Sequence, residues 1–197
     1  MRTFTTITKG IEVNGATIMS VIKGMGCFAS QAKKILENNG LADVEDSTEK
    51  WYPQQKWLDA FKEISEKTGK STLFEIGKQI PESAKFPPEV RTVEDALKSI
   101  DVAYHMNHRN TNGQPLFNPQ TGTMLEGIGH YDYEENANEN NKAYVTCDNP
   151  YPDDFDRGII TAIARKFSGG MVKVEVANEN NSRKNGGNKT KYIVSWN

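Results

Sequence analysis

Hydrophobic and polar positions follow two rhythms along this chain, and each change of rhythm marks an element. The opening "TFTTITKGIEV" is rich in Thr and Ile and roughly alternating, which predicts a strand ending near "VNG". From Ala16 the period becomes helical, with Ile18, Val21, Ile22, Met25, Phe28, Ala29, Ala32, Ile35 and Leu36 on one side and a stop at Gly40. Gly24 and Gly26 each weaken a helix by about 1 kcal/mol. The stretch is therefore either one helix packed close to a neighbour or a short helix followed by a longer one.

"STEKWYPQQKWLDAFKEISEKTG" predicts the next helix, with Pro53 in its first turn and Trp57, Leu58, Phe61 and Ile64 on one face. After Gly69 the helical register resumes from Thr72 to Ile80 and stops at Pro81, giving a helical hairpin with an aromatic face. The segment "FPPEVRTVEDALKSIDVAYHMNHR" enters through Pro87 and Pro88, is capped by Thr92 with Asp95 three residues on, and carries two histidines in its predicted last turn.

Beyond that helix the pattern becomes sheet-like. "GTMLEGIGHYDY" and "KAYVTCDNPYP" read as strands joined by the polar loop "EENANENN". "DDFDRGIITAIARKFSG" is a helix with an acidic start and a glycine stop, and "MVKVEVANE" and "TKYIVSW" alternate as a final strand pair. The order predicts one α+β domain over residues 1–197, a mostly antiparallel sheet packed with a helical layer, helix-rich in its first half and sheet-containing in its second.

Composition narrows the function classes. A chain of 197 residues with 36% hydrophobic and 25% charged content can bury its own core, and 16 glycines and 8 prolines imply many turns. The net charge of −2 and scattered lysines argue against nucleic-acid binding, for which only "SRKNGGNKTK" offers a basic tract. No apolar run approaches the roughly 18 residues of a membrane span, and no cleavable leader is visible, so a cytoplasmic location is expected. Cys27 and Cys147 resemble neither a disulfide framework nor a zinc knuckle and are expected to be buried thiols.

The candidate chemistry centres on "AYHMNHR". His105 and His108, three apart on a helix, lie near one face. As polar, pocket-lining groups they would contact a ligand together with Tyr104, while Tyr151 and Arg157 in "CDNPYPDDFDRG" would shape or close the rim. As metal ligands they would need a third partner, His130 or Glu126, with Asp101 orienting an imidazole from behind. Capping of the helix end is the third reading. No nucleophile elbow, phosphate loop or HExxH motif occurs, so binding is expected ahead of catalysis, with acid/base chemistry at an imidazole left open.

The helix "DDFDRGIITAIARKF", the strand "MVKVEVANE" and the turn into "TKYIVSW" resemble the bacterial 4-vinyl-reductase-type small-molecule-binding domains, over roughly Met124 to Trp196. Their organisation is broadly similar to that of haem-nitric-oxide-binding proteins. Such domains often have cysteines near the last turn; "NSRKNGGNKTKY" has none, so cysteine-dependent metal or redox behaviour does not carry over. Nor does "AYHMNHR" match a proximal-histidine haem motif residue by residue. The resemblance implies ligand sensing and signalling: a sensor or carrier for a small, partly hydrophobic molecule, with a homodimer as an option. A metal-dependent enzyme or a haem or metal sensor built on the histidine pair is one alternative. A dimerisation or adaptor module, using the aromatic hairpin as an exposed apolar surface, is another.

Overall fold

A computed structural model of the chain describes residues 3–82 and 84–197. The chain is α+β, and every strand pairing among the described residues is antiparallel. β1 (Glu12–Asn14), β2 (Trp51–Pro53) and β3 (His108–Arg109) form a small sheet in the order β2-β1-β3. β4 (Phe117–Asn118) pairs with β5 (Thr123–Met124). The main sheet has the order β6-β7-β9-β8, from β6 (His130–Glu135), β7 (Lys142–Asp148), β8 (Val172–Val176) and β9 (Thr190–Trp196). The helices are α1 (Gly15–Gly24), α2 (Ala29–Asn38), α3 (Gln54–Thr68), α4 (Lys70–Gln79), α5 (Val93–Met106) and α6 (Asp153–Ser168).

Local chemistry accounts for these boundaries. Asn14 accepts the Thr17 N–H to start α1, and a short 3-10 turn at Gly26–Phe28 splits the glycine-containing stretch into two helices. Thr92 and Asp95 form a reciprocal capping box on α5, and Gly169 ends α6 in the left-handed conformation. The opening segment is strand only at its end. Phe4 has φ 64°, its N–H donates to the Pro150 carbonyl, and Thr6 is held by Gln55, so local turns replace sheet pairing there. Pro53 closes β2 and serves as the N-cap residue of α3 rather than lying in its first turn, and a residue without N–H is tolerated there because β2 is an edge strand.

One buried apolar cluster runs from α1 through the helices to β9, including Ile18, Trp57, Phe61, Leu97, Ile160 and Val194. At its centre α4 and α6 cross on facing glycines: a Cβ on Gly77 would strike the Phe155 carbonyl, and one on Gly158 would strike the Phe74 carbonyl. Trp57 and Phe61 are stacked 5.1 Å apart and wholly buried, so the aromatic hairpin turns that face to the core and cannot offer it to a partner. Cys147 is buried as expected, but Cys27 is exposed because the 3-10 turn lifts it off the core. No helix among the described residues is long and apolar enough to cross a membrane.

Candidate functional site

Between α1, α5 and α6 lies a cavity of about 240 Å³, floored by Trp57, Tyr131, Tyr151 and Phe155 and walled by Val21, Ile100, Ile159 and Ile163. The mouth uses small or polar residues: Thr17 and Ser20 of α1 face Ser99, Ala103 and Asn107 at α5, with Ala84 and Phe86 alongside. Among the described residues no Lys, Arg, Asp or Glu lines it. Three of its lining residues carry a buried polar atom without a well-formed hydrogen bond: His108 Nε2, Trp57 Nε1 and the Tyr151 hydroxyl. Burial raises the Tyr151 pKa, and Gln54 and Trp57 lie near enough to its hydroxyl to offset part of that rise. Buried polar atoms are ordinarily satisfied, so three such atoms on residues lining one apolar cavity single it out as the candidate site.

The end of α5 decides where the two histidines go. The helix stops at Met106, Asn107 caps it, and Asn107 is clamped to Asn14 through both backbone and side chain (3.1 and 2.7 Å). His108 therefore leaves the helix and pairs with Val13 in β3. Its Nδ1 lies 2.7 Å from the Tyr104 carbonyl, which fixes the neutral tautomer with Nδ1–H donating and Nε2 free. Burial lowers its pKa to about 4, so the ring is neutral near pH 7. His105 remains helical, is fully buried, and does not line the cavity. It meets the Asp101 carbonyl at 2.8 Å and packs against His130 at 4.9 Å between ring centroids.

Of the residues singled out from the sequence, Tyr104, His108 and Tyr151 thus share the cavity, whereas His105 and Arg157 do not. Arg157 projects from another face of α6, paired with Asp154 at 3.1 Å and lying over the Phe74 ring. It borders a separate, polar depression with Asp153, Glu179 and Lys184. For the metal reading, His130 and His105 come together with Asp101; His108 lies outside that cluster, and Glu126 meets His130 at 2.8 Å.

Sequence reasoning missed the polar cluster beneath the cavity. Asp156, fully buried, accepts from Tyr131 (2.6 Å), Asn149 (3.1 Å) and Arg183 (2.5 Å). Arg183 also donates to Asp153 and to Asn149, and is 1% exposed. Burial raises the Asp156 pKa, against the pull of Arg183. The basic tract that looked like a surface patch therefore places its arginine inside the protein. An arginine amid Asn and Gly gives no sign of burial; the three aspartates at the start of α6, more than capping requires, were the available signal.

No protein-family model and no curated protein matches the chain. Solved structures do. An oxygen-binding H-NOX domain related to soluble guanylate cyclases, in its oxygen complex, is 17% identical with a TM-score of 0.62, covering 93% of this chain and 94% of that one. The S. oneidensis H-NOX protein in its Fe(II)NO state is 11% identical with a TM-score of 0.63, covering 93% and 99%. A structure from work on haem redox potential and porphyrin distortion is 18% identical with a TM-score of 0.62, covering 93% and 94%. The fold is therefore that of H-NOX domains. The resemblance to 4-vinyl-reductase-type domains is corrected accordingly: the named neighbours are H-NOX domains, and the likeness embraces the helical half as well as the α6–β9 segment that suggested the other family.

Proposed function

We propose that the chain is a sensor module that takes its ligand in the cavity between α1, α5 and α6, and that the group held there is a haem carried by His108. The observation that carries this reading is the His108 ring: buried, neutral, anchored through Nδ1 to the Tyr104 carbonyl, with Nε2 unpartnered, on a residue that lines an apolar cavity. A neutral imidazole whose other nitrogen donates to a carbonyl is the form that ligates metals. A bound haem would supply an iron able to take a diatomic gas.

The chain's own residues do the rest. β3 pairing with Val13 fixes the ring's approach, and the walls of Val21, Ile100 and Ile159 exclude water. Trp57 and Tyr151, with Gln54 beside the Tyr151 hydroxyl, bring buried polar groups close to the cavity. Thr17, Ser20, Ser99 and Asn107 provide hydrogen bonds at the mouth for peripheral carboxylates. A cavity of 240 Å³ is below the roughly 300–1,000 Å³ of ordinary ligand pockets, so loading a haem requires its walls to part.

The small volume and uncharged lining favour a second reading, direct binding of an uncharged, partly hydrophobic molecule. One experiment separates them. Haemin added to the purified chain gives a stoichiometric Soret band that His108→Ala abolishes under the first reading. Under the second no such band forms, while an uncharged apolar fluorophore binds one per chain and Ala103→Phe at the mouth blocks it. Failure of both refutes the cavity as a ligand site.

A further inference from the structure

A second group of ligating side chains lies at α5 outside the cavity's lining. Asp101 and His105, one turn apart on α5, meet His130 at the start of β6. One ligand atom from each lies within 4.8 Å of the others. Asp101 Oδ2 is 3.0 Å from His130 Nδ1, and Asp101 Oδ1 is 3.5 Å from His105 Nδ1. Tetrahedral zinc with bonds of about 2.0–2.1 Å separates its donors by about 3.3 Å, so the Asp101–His130 edge is already near the required length, whereas His105, whose Nδ1–H donates to the Asp101 carbonyl at 2.8 Å, has to turn its ring to bring a lone pair to the ion.

Two further features make this more than an ion pair. His105 is wholly buried and, with its Nδ1 against the Asp101 carbonyl, its Nε2 is the nitrogen with a free lone pair and no hydrogen-bond partner. His130 also meets Glu126 through Nε2 at 2.8 Å, leaving a carboxylate behind an imidazole whose other nitrogen faces Asp101. That is the outer arrangement common to histidine-ligated metals. Glu126 is 82% exposed and His130 24% exposed, so an ion has a path in from solvent.

We propose that Asp101, His105 and His130 bind a divalent transition ion of zinc type, with Glu126 supporting His130 from outside and a water completing the coordination. The ion takes the position of the proton between Asp101 and His130 and clips α5 to β6. The clip lies next to the cavity's floor, because Asp101 Oδ1 also accepts the Tyr131 N–H at 2.9 Å. Mixed nitrogen and oxygen donors suit zinc or cobalt better than calcium or magnesium.

The test uses the full chain, free of haem and stripped by chelator, titrated with Zn²⁺ and with Co²⁺ as a visible probe. The expected result is one equivalent of tetrahedral Co²⁺ absorption, displaced by Zn²⁺. His130→Ala and Asp101→Asn each weaken binding by at least the roughly tenfold that loss of even a supporting partner costs, while His108→Gln leaves it intact. In the unsubstituted chain, Zn²⁺ shifts the imidazole NMR signals of His105 and His130 but not His108, which keeps the test independent of variant folding. Absence of saturable binding, or binding unchanged in folded His130→Ala and Asp101→Asn proteins, overturns the proposal.

Discussion

Lowering the pH tests whether His108 is held neutral in the interior. Its folded pKa is about 4 against 6.5 for an ordinary histidine, with burial the leading cause. The unfolded chain therefore binds a proton more readily than the folded one. His108 costs nothing well above pH 6.5, and stability is lost as pH falls from 6.5 toward 4. The loss is about 2 kcal/mol at pH 5 and approaches about 3 kcal/mol below pH 4. His130 has the opposite sign: burial works against its charge, but Asp101 and Glu126 outweigh this and raise its pKa to about 9. Its contribution is full below pH 6.5 and is lost as pH rises through 9. Because His130 is partly exposed its contribution is screened, and it cancels when two proteins differing only at His108 are compared. The measurement is urea unfolding of the haem-free chain and its His108→Gln variant at about pH 7 and pH 5. The wild type should lose about 2 kcal/mol more than the variant over that interval. Equal losses would mean that the imidazole is solvated or already charged, and would remove its claim as a neutral ligand.

The other predictions concern the frame around the site. Gly77→Ala gains about 1 kcal/mol of helix propensity but drives a Cβ into the Phe155 carbonyl, so net destabilisation of about 1–3 kcal/mol is expected, read as a lower Tm. An unchanged Tm would refute the close α4–α6 crossing. Arg183→Met leaves Asp156 buried without its cation and should cost about 3–5 kcal/mol, with part recovered by adding Asp156→Asn; no recovery would mean that Arg183 acts through packing alone. In the native protein a thiol reagent should modify Cys27 quickly and Cys147 only after unfolding, since burial raises the Cys147 pKa well above normal; equal rates would contradict that burial.

Much of the element order was legible because local signals and burial agree. The capping box at Thr92 and Asp95, the Gly169 stop and the alternation of β9 are each written within a few residues. The opening segment reads as more strand than it is because Thr and Ile favour extended backbone, whereas contacts with Gln55 and Pro150, far along the chain, decide its path. The cavity was legible only as residues: helical spacing says that Ile100, Tyr104 and Ile159 point inward, not whether the space between them is filled. Least legible was the Asp156–Arg183 pair, separated by 27 positions and joined only after α6, β7 and the turn before β9 assemble.

The histidine pair shows how a helix end can divide a motif. Residues three apart share a face only while the helix continues, and here it ends at Met106, between them. His105 keeps the helical direction and meets His130; His108 follows the clamped Asn107 into β3 and meets the cavity. The two therefore serve different sites, and their substitutions should dissociate. His108→Ala is expected to abolish haemin binding while leaving the Co²⁺ spectrum unchanged. His130→Ala is expected to do the reverse, because His130 does not line the cavity. The assay is the Soret band and the cobalt absorption measured on the same three proteins, with circular dichroism confirming that each is folded. Tyr104 lies between the sites, its ring 5.5 Å from His105 and 4.8 Å from His108 between centroids, so small mutual shifts in affinity are compatible with separate sites. Loss of both signals in either folded variant is not, and would mean that "AYHMNHR" builds one site after all.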